Sequence, residues 1–499
     1  MTFPASSFVD TSTRRRKGNL ARATQAARTA GISLVAAAVL SACSLAPKYE
    51  EPKLQDVAAF KEAGEWMPAA PADTQPRGEW WHTFGDPKLD DLQQQLHDGS
   101  QDLRAAVARF EQARAFSRGA RSNLYPTVGA GASAGRARAS ANAPGSGGAI
   151  STGNDFIASL DFAWEIDLFG RLRNAAAAAG DRAQASAADL AAVELALRAE
   201  LATDYFSLRG ADANLQLLED TVKAYDRAYE LTSNRYNGGI AAATDVDQAE
   251  TQRQNARSQL ASVRLQRAQL EHAIAVLLGR PPANFTLEPA TLASTPPPFD
   301  TGLPSALLLR RPDVASAERA VAAANAEIGV ARAAWFPVFT LGGSGGYEST
   351  LTSNWFEAPS RFWSAGPAAH VPLLDVGARR ALNQQARAGF DEAVANYRKT
   401  ALVAYQEVED NLAALRHLAD EVAADEAAAA SAQRSAYHAD RRYASGVADY
   451  LEVASTQTAA LQAQRSALDA RVRRLNAAVG LVRALGGGWS REQSGNPAL

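Results

Sequence analysis

The chain has 499 residues, of which 46% are hydrophobic and 21% charged, and its formal net charge is −3. This composition excludes a disordered chain and a bundle of transmembrane helices, and the slightly acidic balance excludes a general electrostatic affinity for nucleic acid. The single cysteine, Cys43, excludes an intrachain disulfide and a zinc site built from cysteines.

The first 42 residues have the pattern of a secretory signal peptide. Six basic residues lie within 14–28, and an uncharged stretch follows over about 30–42. This stretch is shorter than the roughly 20 residues that a membrane-spanning helix needs. It ends in Leu40-Ser41-Ala42-Cys43, which resembles the lipobox of bacterial lipoproteins. The resemblance implies cleavage before Cys43, acylation of that cysteine with fatty acids such as palmitate, and sorting to the outer membrane, because Ser44 rather than Asp follows. The alternative is a buried free cysteine beside an ordinary signal peptide.

The remaining chain is divided into a lipidated, extended N-terminal segment, two copies of one structural plan and a tail. These parts are predicted at 43–85, 86–285, 286–485 and 486–499. Residues 235–240 align without gaps on residues 442–447, at an offset of 207 positions, and both contain Arg-Tyr-x-x-Gly. Each half runs from a helix through an aromatic-proline step into a Gly-rich stretch, where proline ends the helix.

Four segments are predicted to be β-strands that pair as two hairpins. The clearest covers 155–168, where apolar and aromatic residues alternate with polar ones such as Asp161 and Glu165. The other strands are predicted at about 126–136, 338–347 and 361–371. One face is apolar and the other carries carboxylates, which fits either a soluble sandwich or a membrane barrel with an aqueous lumen. Four short strands cannot close a barrel, so the membrane alternative requires an oligomer that pools strands.

The rest of the chain is predicted to be helical. Two proline-free stretches, 172–235 and 378–442, each predict a helix of roughly 64 residues, or about 96 Å. Shorter helices are predicted at about 89–122, 244–278, 305–334 and 450–485. Small residues recur along these helices, which favours close packing in a broad assembly over an isolated coiled coil.

In their order and spacing, these motifs resemble those of outer-membrane factors of the TolC/OprM/NodT type, in the lipoprotein branch. The resemblance covers nearly the whole mature chain. It is carried by Cys43 with Pro47-Lys48-Tyr49 and Pro52, by Trp80-Trp81-His82-Thr83-Phe84-Gly85-Asp86-Pro87-Lys88-Leu89, by the two Arg-Tyr-x-x-Gly turns, by the aromatic-proline entries Tyr125-Pro126 and Phe336-Pro337, and by Leu168-Phe169-Gly170-Arg171.

The resemblance implies a mixed α and β fold with an internal two-fold sequence repeat. Three chains of four strands would form a homotrimeric, 12-stranded transmembrane β-barrel, continued by a long periplasmic α-helical barrel. It also implies a passive duct in a tripartite efflux or export system, where an inner-membrane pump, expected to be of the RND type, delivers solutes through a periplasmic adaptor. The expected location is the outer membrane, in contact with its lipid and anchored at Cys43, with extension into the periplasm.

The same resemblance implies a periplasmic gate in which helices are held closed by hydrogen bonds and lined by carboxylates. Thr244 and Asp245 match one side of the closing network, and Tyr443 matches its tyrosine partner. Glu452 matches the first aperture carboxylate, whereas the second matching position is Ser455. Asp449 is a candidate for the missing charge. The turn residues Arg235, Tyr236, Gly239, Arg442, Tyr443 and Gly446 are interpreted as structural, because the two glycines allow a helix to turn back.

Enzyme chemistry has little support in the sequence. The six histidines lack the spacing of a metal site, and neither a Gly-x-Ser-x-Gly elbow nor a phosphate-binding loop occurs. We therefore expect no catalytic residues, no cofactor, no metal and no nucleic-acid partner, and energy for transport must come from the pump. The alternative function is a non-pore periplasmic adaptor or structural coiled-coil lipoprotein, which should lack paired amphipathic hairpins in both halves.

Overall fold

The structure is a computed structural model that describes residues 44–54, 57, 59–63, 78–138, 140, 152–292, 295–297 and 310–489. Cys43 and the predicted signal peptide, 1–42, lie outside the described residues. The same holds for residues 490–499 of the predicted tail.

The described residues form long helices and one antiparallel sheet, as the predicted mixed α and β fold requires. Apart from short 3₁₀ helices, the helices are α1 (Pro87–Gly99), α2 (Gln101–Ser122), α3 (Arg171–Asn237), α4 (Ala243–Leu277), α5 (Pro312–Ala333), α6 (Ala378–Ala444) and α7 (Tyr450–Ala484). The strands are β1 (Thr127–Arg138), β2 (Thr152–Ile166), β3 (Val338–Ser349) and β4 (Arg361–His370). Among these helices, none is long and apolar enough to cross a membrane.

The four predicted strands are present and form one sheet in the order β1-β2-β3-β4. The two hairpins join through β2 and β3, which pair antiparallel with Asp161 opposite Ser344. Phe162 lies opposite Val128 in β1, and Tyr347 lies opposite Arg361 in β4. Cross-strand partners share a face of a sheet, so this register places Asp161 and Ser344 on one face and Val128, Phe162 and Tyr347 on the other.

The helices follow the internal repeat. The first long helix of each half, α3 or α6, has 67 residues, and the helix after it, α4 or α7, has 35. Arg171 and Ala378 begin the two long helices, and Ala243 and Tyr450 begin the two shorter ones. Both pairs differ by the 207 positions that separate the two Arg-Tyr-x-x-Gly segments.

The predicted helix at 89–122 is divided into α1 and α2. Ser100 has extended backbone angles, φ −60° and ψ 125°, and its amide still donates to the carbonyl of Leu96. Its hydroxyl accepts from the amide of Leu103, 3.4 Å away, so one side chain ends the first helix and caps the second. Serine competes for backbone hydrogen bonds in this way, which an unbroken helical pattern does not reveal.

The chain divides into two compact units, and each draws on both halves of the sequence. The first combines the described part of Met1–Glu50 with Phe116–Gly180 and Ala322–Asp391, and it contains the whole sheet. The second combines Glu51–Ala115 and Asp181–Val321 with Glu392–Leu499.

The second unit contains the main hydrophobic core. The segment Trp80–Phe84 and helix α1 contribute side chains such as Trp81 and Leu92, which pack with Phe206 and Leu475. Asp86 caps α1 with one carboxylate oxygen, and its other oxygen accepts from the Tyr205 hydroxyl at 2.7 Å. The Arg198 guanidinium lies 4.4 Å from the centre of the Trp81 ring. The tryptophan-rich motif therefore positions α1 on α3.

The described N-terminal residues are hydrogen-bonded in both units. In the first unit the Ser44 hydroxyl donates to Asn174 at 3.0 Å, and Asn325 donates to the carbonyl of Pro47 at 2.9 Å. In the second unit the carboxylate of Glu409 accepts from the amides of both Lys61 and Glu62, at 2.7 and 2.9 Å. We call the described residues of this segment, 44–54, 57 and 59–63, the strap.

Gly279 ends α4 with a φ of +69°, in the left-handed region that side chains disfavour. Its amide donates to Val276, and the next amide, of Arg280, donates to Ala275, which is a Schellman motif. A Cβ at Gly279 would lie 2.1 Å from the carbonyl oxygen of Gly99. Backbone therefore packs directly on backbone where α1 ends.

We predict that Gly279→Ala lowers the melting temperature of the protein, followed by circular dichroism. The left-handed φ alone costs about 1–2 kcal/mol, and the steric conflict adds to it. Gly119→Ala is the control, because Gly119 lies within α2 with open space around its α-carbon. That change should stabilise by about 1 kcal/mol or less. A Gly279→Ala protein that melts at or above the wild-type temperature would contradict the assignment.

Candidate functional site at the helix turns

The turns from α3 to α4 and from α6 to α7 have the same backbone design. Gly239 and Gly446 have φ values of +73° and +78°. In each turn the glycine amide donates three residues back, to Tyr236 or Tyr443, and the next amide donates five residues back, to Arg235 or Arg442. These are Schellman motifs, so glycine is needed where each long helix reverses.

The side chains of the two turns differ although the backbones match. Tyr443 is 7% exposed, whereas Tyr236, its equivalent in the first repeat, is 47% exposed. Tyr443 packs edge-on against Tyr450, with ring centres 5.6 Å apart, in a small cluster with Ala249 and Val453. The second turn is thus anchored in apolar contacts that the first does not have.

The Tyr443 hydroxyl lies 3.3 Å from the hydroxyl oxygen of Thr232 on α3. Thr232 donates its own proton to the carbonyl of Ala228 at 2.8 Å. Tyr443 is therefore the donor to Thr232. This hydrogen bond connects α3 to the C-terminal end of α6.

Arg235 joins the two turns. Its guanidinium lies 4.5 Å from the centre of the Tyr443 ring, and it donates to the carbonyls of Tyr443 and Ala444 at 3.3 and 3.4 Å. A cation at the C-terminus of a helix also interacts favourably with the helix dipole. Arg442, the equivalent of Arg235, instead pairs with Glu452 at 2.8 Å.

The predicted gate carboxylates cap their own helices. Asp245 accepts from the amide of Ala242 at 3.3 Å, and Asp449 accepts from the amide of Glu452 at 3.0 Å. The Ser455 hydroxyl donates to the carbonyl of Glu452 at 3.0 Å, and Thr244 is exposed. Within one chain, in the described residues, Asp245 and Tyr443 have separate hydrogen-bond partners.

The sequence interpretation missed two residues that tie α4 to α7. The Tyr450 hydroxyl donates to Gln252 at 3.1 Å, and the Gln252 amide donates to the carbonyl of Ala454 at 2.7 Å and to the Thr458 hydroxyl at 3.1 Å. Burial, with smaller contributions from Tyr225 and Tyr443, raises the pKa of Tyr450 to about 12, which keeps it a donor. Neither Tyr450 nor Gln252 matches its equivalent in the other repeat, Ala243 or Ala459, so no repeated signal marked them.

The ion pair at the second turn is exposed to solvent. Arg442 and Glu452 are 54% and 35% exposed, and exposed ion pairs contribute only about 0–1 kcal/mol. Across the described part of the chain, no group of three His, Cys, Asp or Glu side chains is placed to hold a metal ion. The arrangement is suited to holding helices together weakly.

The sheet carries a second polar surface. The Asp161 carboxylate accepts from the hydroxyls of Ser344 at 2.7 Å and Ser159 at 2.9 Å. Four carboxylates lie on this face of the described strands, and they are those of Asp155, Asp161, Glu165 and Glu348. The same strand residues include no Lys or Arg on this face. The opposite face carries exposed apolar side chains such as Val128, Leu160 and Trp363.

Comparisons with known proteins agree with this architecture. A family model described as outer membrane efflux protein matches residues 92–280 and 303–487. The chain is 34% identical over 468 residues to the probable efflux pump outer membrane protein TtgC of Pseudomonas putida, covering 92% of this chain and 96% of TtgC. It is 34% identical over 478 residues to the outer membrane protein OprJ of Pseudomonas aeruginosa, covering 93% and 97%. The solved structure of the CmeC outer membrane channel of Campylobacter jejuni matches with a TM-score of 0.81 at 25% identity, covering 90% of this chain and 96% of CmeC.

We predict that Arg235→Met speeds amide hydrogen exchange at residues 442–447. The change removes two hydrogen bonds to carbonyls and a cation–π contact, each typically worth about 0.5–1.5 kcal/mol. Arg442→Met is the matched control from the other repeat, because it removes only an exposed ion pair and should alter exchange at the turn much less. Equal exchange in the Arg235→Met protein and the wild type would exclude a role for Arg235 in holding the second turn.

Proposed function

The chain belongs to the outer membrane efflux protein family, and on that premise we propose that three copies of it form one passive duct, anchored by lipid at Cys43 and gated at the two helix turns. The chain is an outer-membrane channel component of an efflux pump, extending into the periplasm, and not an enzyme. The observation that carries the proposal is the open four-stranded sheet, whose carboxylates all lie on one face.

The unpaired strand edges support the trimer. In the described residues β1 pairs only with β2, and β4 pairs only with β3, so one edge of each is open. Backbone groups in a lipid bilayer have no water to bond to, so a spanning sheet must close on itself. Membrane barrels begin at about eight strands, which one copy cannot supply. Three copies would pool twelve strands.

The two faces of the sheet support an aqueous duct. Leu160 and Trp363 lie on the face with no carboxylate and are 62% and 83% exposed, which suits contact with lipid. Asp161 and its serine partners lie on the other face, where a closed barrel would hold water. A non-pore adaptor or structural lipoprotein is expected to lack paired amphipathic hairpins. The presence of the sheet therefore disfavours that alternative.

A periplasmic adaptor and an inner-membrane pump, of the RND type, complete the proposed assembly. TtgC is named as an efflux pump outer membrane protein, which supports a pump partner for this chain. Ile240 and Val447, which follow the two turn glycines, are 80% and 70% exposed. Exposed apolar side chains at both turns are consistent with burial in a larger assembly.

The lipid anchor is supported by the strap. Ser44 follows Cys43 directly, and its hydroxyl donates to Asn174 in the unit that contains the sheet. Arg332 in the same unit donates to the carbonyl of Leu45 at 3.2 Å. The acylated end would thus be held beside the membrane-embedded part of the molecule.

In the proposed gate, the Tyr443 hydroxyl can donate its proton either to Thr232 or to Asp245. Tyr443 donates to Thr232 within the chain, so a bond to Asp245 requires that the Thr232 bond break. Asp245 is half-buried and held by one long hydrogen bond, which leaves its carboxylate free to accept again. We assign the closed aperture to Tyr443, Asp245 and Thr244, with Glu452, Asp449 and Ser455 lining it.

We predict that the purified protein gives discrete conductance steps in a planar bilayer, and that Tyr443→Phe with Asp245→Ala raises its conductance. The change removes a hydrogen bond to a charged group, worth about 1.5–3 kcal/mol, so the closed-to-open ratio should fall roughly tenfold or more. Tyr236→Phe with Asp247→Ala is the control. Tyr236 is the equivalent of Tyr443 in the first repeat, Asp247 lies two residues after Asp245, and both side chains are exposed. An unchanged conductance in the Tyr443→Phe, Asp245→Ala variant would contradict the gate assignment. The absence of any conductance step in the wild-type protein would contradict the proposed duct.

We predict that Cys43→Ala abolishes the lipid anchor. Intact-mass analysis of the wild-type protein should show the chain beginning at Cys43 with two or three added acyl chains, which anchor firmly where one does not. Ser41→Ala is the control, because it lies in the removed segment and leaves Cys43 in place. An unmodified wild-type Cys43 would contradict the proposal.

A further inference from the structure

Three arginines occupy the apolar face of the sheet. Arg136 and Arg138 lie opposite Asn154 and Thr152 of β2, on the side of β1 that also carries Val128. Arg361 begins β4 opposite Tyr347. All three side chains are exposed, and in the described residues none has an ion pair with a carboxylate. This face carries no acidic residue in the described strands, so its charge is wholly positive.

The arginines lie at one end of the sheet only. β1 ends at Arg138 and β4 begins at Arg361, at the end where β2 begins at Thr152 and β3 ends at Ser349. The opposite end leads through Ile166 into α3 and through His370 into α6. Since the helices extend into the periplasm, the arginines lie at the outer surface of the membrane.

An aromatic cluster marks the level of the membrane interface at this end. Phe156 packs on Trp355 with ring centres 5.6 Å apart, and Tyr347 packs on Phe356 at 5.4 Å. The Arg361 guanidinium lies 5.9 Å from the centre of the Tyr347 ring. Aromatic side chains collect where lipid headgroups begin, so Arg361 lies at headgroup depth.

We propose that Arg136, Arg138 and Arg361 form a binding site for phosphorylated lipid headgroups of the outer leaflet. The inference rests on the proposed function, because it needs the apolar face to meet lipid. Guanidinium groups bind phosphate oxygens in pairs, and the uncharged donors Asn154 and Thr152 lie beside them. An arginine facing lipid without such a partner is costly, and at headgroup depth a phosphate removes that cost.

The position of the arginines on the outermost strands places the site between copies. Arg136 and Arg138 are on β1 and Arg361 is on β4, which are the two open edges of the sheet. When copies close the barrel, β4 of one lies beside β1 of the next. A lipid phosphate held there would contact two chains and stabilise the assembled duct.

The test is lipid binding by the full-length processed protein, purified in a non-ionic detergent and followed by native mass spectrometry. The probes are bisphosphorylated hexa-acyl lipid A, the same lipid with one phosphate, and phosphatidylethanolamine. We expect affinity to fall in that order. Arg136→Ser with Arg138→Ser and Arg361→Ser should lower affinity for the bisphosphorylated lipid at least about tenfold. The corresponding lysine variant should retain part of the affinity, because it keeps the charge and loses paired bonding.

The control removes three exposed arginines from the helices, namely Arg227→Ser, Arg264→Ser and Arg434→Ser, and should leave affinity unchanged. Equal binding by the sheet variant and the control would overturn the proposal, as would displacement of the lipid by millimolar inorganic phosphate, which would indicate a site for free phosphate. If the wild-type protein gives conductance steps in a planar bilayer, either of these two binding results would overturn only the lipid site. If it gives no conductance steps, the proposed function itself would be overturned.

Discussion

The open edges of the sheet are the constraint on which the rest of this molecule depends. β1 and β4 each leave a row of backbone donors and acceptors unpaired, and a sheet of four strands cannot curl enough to pair them with each other. Lipid offers no hydrogen bonds, so the sheet can enter a membrane only with other copies. Oligomerisation is therefore a condition for the spanning part to exist, and the long helices inherit the symmetry that the strands impose.

The two helix turns share one backbone design but carry unequal side chains. The two turns share their Schellman hydrogen bonds and differ by 207 positions, yet only the second turn buries its tyrosine. Tyr443 is held by Thr232 and Arg235, whose equivalents, Ala439 and Arg442, do not hold Tyr236 in this way. The repeat thus supplies a similar turn twice, and a few substitutions give only the second turn a buried, hydrogen-bonded tyrosine.

Much of the fold is accessible from sequence because it repeats or alternates. The period of two along 155–168 identifies β2, and proline-free stretches identify α3 and α6 to within a few residues. Competition of a side chain for backbone hydrogen bonds is harder to predict. Ser100 divides one predicted helix because its amide ends the first part and its hydroxyl caps the second. The partners of Tyr443 come from a different helix and are invisible to any local pattern. The alternation of carboxylates does not reveal the significance of Arg136, because that depends on which face and which end of the sheet the residue occupies.

The strap has a consequence for the order of events during synthesis. The strap is made long before its partners, because Asn325 and Arg332 are made almost 300 residues later, and Glu409 and Arg416 later still. Such long sequence separations are closed late, because the entropy lost in closing the loop comes before the contacts form. The strap can therefore dock only after the second repeat has been made, so its contacts are expected to form among the last in folding.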